Sequence, residues 1–171
     1  MLSKKMEKAL NEQINAELYS AYLYLSMASW IEGEGLDGFA NWFKVQFQEE
    51  TAHAMRLYDY VYERGGRVRM GPIEGPKNEW KSAEHAFDET LKHEQKVTGL
   101  INGLVKLARE EDDYATENML QWFVAEQVEE EDTADKLLQR VKLVGDKGHG
   151  LYMMDRELAA RVYTPPAGEE A

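Results

Sequence analysis

Glu50 and His53 stand three residues apart, the spacing at which one helical turn points two metal ligands the same way. Gln127 and Glu130 repeat that spacing, while Glu17 and Glu94 each stand singly among apolar neighbours. Carboxylates with a single imidazole are mostly oxygen donors and suit iron or manganese better than the sulfur and nitrogen set usual for zinc. Two such ions bridged by a carboxylate can each give one electron to an oxidant, and the dioxygen chemistry of iron makes iron the expected metal. The chain has no Cys, which excludes thiol catalysis, disulfide frameworks and Cys-bearing zinc or iron–sulfur sites.

These residues need elements to bring them together, and the proline and glycine pattern supplies them. The only prolines are Pro72, Pro76, Pro165 and Pro166, leaving two long tracts with no helix breaker. Gly33-Glu34-Gly35 interrupts the first tract and the acids Glu110 to Asp113 interrupt the second, so each tract folds as a helical hairpin. Between them, Gly65-Gly66, Gly71-Pro72 and Gly75-Pro76 mark a connection of roughly 16 to 18 residues, far beyond the few that usually join neighbouring helices. Such a connection is long enough to run the length of a bundle. The 171 residues are expected to form a single all-α domain, a four-helix bundle in layout: two hairpins joined by a long crossover. Helices are expected over residues 4–33, 37–64, 82–110 and 113–144, with a short fifth over 151–162 stopped by Pro165-Pro166.

Each of the four long helices carries a stripe in alternating steps of four and three, the seam that faces a bundle interior. The first reads Leu10, Ile14, Glu17, Ala21, Tyr24, Ala28, and the second Phe39, Phe43, Gln46, Glu50, His53, Leu57. Glu94 interrupts the third stripe, and Gln127 with Glu130 the fourth. Glu17 stands as far before Gly35 as His53 stands after it, which sets them at one level of the first hairpin; Glu94 and Glu130 are similarly placed about Asp112. The hairpins also repeat each other at one fixed offset: Glu17 matches Glu94, Glu49 matches Glu126, Glu50 matches Gln127, and His53 matches Glu130. Whether the two levels meet depends on the long connection, which spacing leaves open.

A single buried acid can be neutralised by a pKa shift or by a buried Lys or Arg. For the set that explanation fails, because no stripe contains Lys or Arg and each uncompensated carboxylate costs several kcal/mol. The four glutamates carry the charge that two divalent cations would neutralise. The formal net charge of −12 is the wrong sign for binding nucleic acid or anionic lipid, and favours cations as guests. The charged start, Met1 to Leu10, has no secretory character, and no apolar run approaches the roughly 18 residues of a membrane span. A soluble cytoplasmic protein is expected.

With Glu17, Tyr24, Glu50-x-x-His53, Glu94 and Gln127-x-x-Glu130 within the run Glu126 to Glu131, the chain resembles a bacterial or archaeal non-haem ferritin over nearly its whole length. The resemblance implies a ferroxidase: Fe2+ is oxidised by dioxygen or hydrogen peroxide at a di-iron centre, and Fe3+ is stored as mineral. The expected assembly is a homo-oligomeric cage of about 24 copies closed by symmetry. It implies that Glu17, Glu50 and His53 hold one iron and Glu94 and Glu130 the second, with Glu50 bridging and Gln127 hydrogen-bonding nearby. Glu49, Glu126 and Glu129 would form a third iron site sharing Glu130, although a solvated acidic face accounts for the same run. Tyr24 would hydrogen-bond near the iron and act as an electron donor, with core packing an equal contender. Bacterioferritins carry His where this chain has Glu130, and a haem-ligating Met where it has Thr51, so no haem is expected.

The remaining residues carry weaker signals. Trp122 flanks Gln127, in a redox or a packing role; His85, His93 and His149 fall off the stripes and are expected at the surface; the eight Met are scattered as core fillers. Two other functions fit the same residues: a peroxide-reducing or oxygenating di-iron enzyme on this scaffold, and a metal buffer or shell protein that binds iron without oxidising it.

Overall fold

Polar caps open three of the long helices. Ser3 accepts the Met6 amide at 2.9 Å, Ser82 that of His85 at 3.1 Å, and Asp113 that of Thr116 at 3.1 Å. A computed structural model describes residues 1–145 and 147–165 and shows α1 (Lys4–Gly33), α2 (Asp37–Glu63), α3 (Ala83–Glu110), α4 (Tyr114–Val144) and α5 (His149–Leu158). Among the described residues there is no strand. Gly35 turns α1 into α2 at φ +79°, and Asp112 turns α3 into α4 at φ +53°, a left-handed conformation that Asp tolerates better than most residues.

The connection between the hairpins runs lengthwise along α1. Asn11 donates to the Arg67 carbonyl at 3.1 Å, Asn15 to that of Pro72 at 3.2 Å, and Ser26 to that of Lys77 at 2.7 Å. The chain leaves α2 beside the start of α1, where the Leu2 amide meets the Arg64 carbonyl, and enters α3 beside the far end of α1. This sets α3 antiparallel to α1, and the two hairpins align in depth.

Two apolar clusters follow. One gathers Met27, Ile31, Phe39, Phe43, Phe87 and Leu138 with α5; the other gathers Leu10, Ile14, Leu57, Ile101, Leu120 and Phe123. The polar stripe positions lie between them.

The fifth helix begins and ends earlier than its sequence indicates. Gly148, at φ +98°, lets the chain turn into it, and after Leu158 the side chain of Asn41 collects the carbonyls of Leu158 and Arg161 at 3.1 and 2.9 Å, drawing the chain out of helix. The α5 residue Asp155 also caps α2: Leu36 offers no side-chain cap, and Asp155 Oδ1 accepts the amides of Gly38 and Phe39 at 2.8 and 3.0 Å. A Cβ on residue 38 would lie 1.7 Å from the Asp155 carbonyl oxygen, so glycine is required for this approach. Asp155→Ala is expected to cost about 1 kcal/mol, the usual worth of an N-cap, in chemical denaturation of the assembled protein; an unchanged midpoint would remove Asp155 as the cap. Pro166 and the tail after it, and Asp146, lie outside the described residues.

Candidate metal centre

The stripe positions converge. Glu17 from α1, Glu50 and His53 from α2, Glu94 from α3, and Gln127 and Glu130 from α4 are all buried at the level between the apolar clusters. Ligand atoms of Glu17, Glu50 and His53 lie within 4.8 Å of one another, and so do those of His53, Glu126 and Glu130. The hairpins are tied together here: Tyr24 Oη donates to Glu94 Oε1 across α1 and α3, and Gln46 Nε2 donates to Glu130 Oε2 at 2.9 Å across α2 and α4. Gln13, one turn before Glu17, donates to its Oε1 at 2.8 Å. Gln127 Nε2 lies 3.2 Å from both the Glu94 carbonyl and Glu94 Oε2, so the amide orients Glu94 by hydrogen bonding.

These bonds engage both oxygens of Glu94 and one oxygen each of Glu17 and Glu130, and none reaches Glu50. Glu17 Oε2 and Glu50 Oε2 are buried with no hydrogen-bond partner. A buried acceptor without a donor costs about 1 to 3 kcal/mol, so two in one place suit a positively charged ligand. Electrostatics agree. Burial outweighs the hydrogen bond from Gln13 and pushes Glu17 up to about 7. Burial, then the nearby charges of Glu94 and Glu49, push Glu130 up to about 8. Glu50 is raised well above the usual carboxyl range by burial and by Glu94, Glu17 and Glu130 around it, and Glu94 is raised chiefly by burial. Burial, then Arg56, push His53 down to about 4, which keeps the imidazole neutral and able to ligate. A cluster in which every acid resists ionisation becomes favourable once divalent cations replace its protons.

Several side chains sit differently from their sequence reading. Trp122, read only as lying near Gln127 in the chain, packs edge-on against the His53 ring at 5.4 Å, with Arg56 4.2 Å over its own ring. Tyr24 serves both packing and the centre, stacking on Phe43 at 6.1 Å while bonding Glu94. Glu126 reaches His53 and Glu130, Glu129 is exposed, and Glu49 is held by Arg161 at 2.7 Å. His93 is not a free surface histidine: its Nε2 lies 2.7 Å from Ser20 Oγ and its ring meets the Tyr24 ring edge-on at 6.0 Å. Burial, then Lys96, push His93 down to about 4. His85 is partly buried too, 3.1 Å from Glu89, whereas His149 is exposed. Sequence reasoning passed over Gln13, Gln46 and Arg161. Gln46 was visible as a polar residue in an apolar stripe and Gln13 as a donor one turn from Glu17, but Arg161 gave no local signal.

The Ferritin-like domain family matches this chain over residues 7–144, across all four long helices and every residue of the buried cluster. The chain belongs to the ferritin family. Among ferritins, it is 42% identical over 161 residues to a bacterial non-heme ferritin of Bacteroides fragilis, covering 94% of this chain and 100% of that protein. It is likewise 42% identical to a bacterial non-heme ferritin of Escherichia coli, covering 93% and 96%. Its structure is similar to an engineered closed form of the Archaeoglobus fulgidus ferritin at 51% identity and TM-score 0.95, covering 96% of this chain and 100% of that one. The open-pore ferritin of the same archaeon matches at 51% identity and TM-score 0.93, covering 95% and 100%. In this ferritin the buried acids and imidazole form a hard-donor cluster suited to divalent cations. No helix among its described residues is long and apolar enough to cross a membrane.

Proposed function

We propose that the protein stores iron and is a ferroxidase, oxidising Fe2+ with dioxygen or hydrogen peroxide at a di-iron centre inside each subunit. The observation that carries this is the pair of unpartnered buried oxygens, Glu17 Oε2 and Glu50 Oε2, facing neutral His53 between two apolar clusters. Glu17, Glu50 and His53 hold one Fe2+, and Glu94 and Glu130 hold the other, with Glu50 bridging. Each ion gives up one electron, so two Fe2+ reduce one dioxygen, with two protons, to hydrogen peroxide and leave two Fe3+. The second ion has no imidazole in its set and is the looser one, which favours onward movement of product. Tyr24 orients Glu94 through its hydroxyl.

Storage needs an enclosed volume that one bundle lacks. The subunits therefore assemble into a homo-oligomeric cage, about 24 copies by resemblance, whose excess acidity draws Fe2+ inward. The protein works in the cytoplasm. Aerobic addition of Fe2+ well beyond two per subunit, followed by measurement of particle size and iron content, tests this reading. Hundreds of irons retained per large soluble particle are expected. Iron that stops near two per subunit would keep the metal centre but rule out storage.

A further inference from the structure

Beyond the buried cluster lies an outer row of carboxylates, Glu49 on α2 and Glu126 on α4, flanking Glu130. Arg161, just past the end of α5, reaches into it. Its Nη2 donates to Glu49 Oε2 at 2.7 Å and its Nη1 to the Trp42 carbonyl at 3.3 Å, with the guanidinium 4.9 Å over the Trp42 ring. Asn41 pins the backbone there by donating to the Arg161 carbonyl at 2.9 Å. On the other side of the row, a Glu126 carboxyl oxygen lies within 4.8 Å of ligand atoms of His53 and Glu130. At the same carboxylate, Gln46 is wholly buried and donates to Glu130, yet its own Oε1 has no partner. The row thus holds three carboxylates, one unsatisfied amide oxygen, and two arginines, Arg161 paired with Glu49 and Arg56 acting on Glu126.

We propose that Arg161 is a built-in competitor for metal at this row, standing where a further divalent cation would bind and limiting the subunit to two tightly held ions. The inference rests on the metal-binding reading above. A guanidinium is permanently charged and forms directional bonds to a carboxylate, so it neutralises Glu49 without supplying an exchangeable ion. Without it, Glu49 loses its ion pair, Arg56 beside Glu126 is the countercharge that remains at the row, and an oxygen-coordinated divalent cation becomes the available remedy for Glu49 and Glu130.

The test is anaerobic equilibrium dialysis of the assembled full-length protein against Zn2+, a redox-inert probe, counting tightly held ions per subunit. The parent is expected to hold two and Arg161→Ala three. Arg161→Gln, which keeps a donor for the Trp42 carbonyl but no charge, should also hold three and decides the matter if the alanine variant does not assemble. Arg161→Lys keeps the charge and should return to two, as should Arg161→Ala combined with Glu49→Gln. A parent already holding three ions, charge-loss variants holding two, or a third ion surviving in the double variant would each overturn the proposal. A parent that holds none would instead overturn the di-metal reading itself.

Discussion

Glu50→Ala and His53→Ala are each expected to slow the initial oxidation of Fe2+ by about 100-fold or more, with the particle size unchanged. Groups that merely support a metal ligand are worth about 10- to 100-fold in affinity or activity, and in the proposed centre these two side chains hold the ion directly. Glu50 contributes most, because it lies among Glu17, Glu94 and Glu130 and its free oxygen faces the site. The fold should survive, since neither residue belongs to the apolar clusters. Rapid mixing with Fe2+ in air, followed by the absorbance of Fe3+, reads the rate. If both variants kept the parent's rate in an intact particle, the assignment of the centre would be wrong.

Phe87→Ala should have the largest effect on stability. Phe87 is wholly buried in α3 and meets three aromatic rings of α2: Phe43 stacked at 5.1 Å, Trp42 at 5.2 Å and Phe39 at 5.8 Å. It therefore joins the hairpins at the α5 end of the bundle. Truncating such a residue costs about 3 to 5 kcal/mol, part lost burial and part cavity. For a chain of this size that is a fall in melting temperature of roughly 6 to 20 °C. Phe87→Leu, which retains most of the volume, should lose much less. The rings lead on to the candidate metal centre, since Phe43 stacks on Tyr24 and Tyr24 bonds Glu94. A melting temperature in Phe87→Ala within about 2 °C of the parent would show that this aromatic contact does not hold the hairpins together.

Much of the centre was legible before any coordinates, because the relevant signals are local. An acid in an apolar stripe identifies the face it occupies, and equal distances from a turn identify its level within a hairpin. Glu17, Glu50 and His53 were read this way, and they converge within 4.8 Å. Residues held by contacts distant in sequence were not legible. His93 lies off its stripe, and only the approach of α1 brings Ser20 and Tyr24 against it. Arg161 looked like part of a helix running on to Val162, whereas Asn41 ends α5 earlier and turns Arg161 onto Glu49.

By itself, then, the amino-acid sequence determined four helices, their inward faces, the level of the acids within each hairpin and the hard-donor character of the centre. Only the tertiary structure decided that the two levels coincide. A long connection admits many relative depths of two hairpins, and depth is settled by side-chain contacts: Asn11, Asn15 and Ser26 tether the connection along α1, and Tyr24 and Gln46 bridge to Glu94 and Glu130. The tertiary structure likewise decided which acid receives a tethered cation and which helix end is capped from α5. Periodicity reports which way a side chain faces, and the identity of the group it meets depends on packing between segments far apart in the chain.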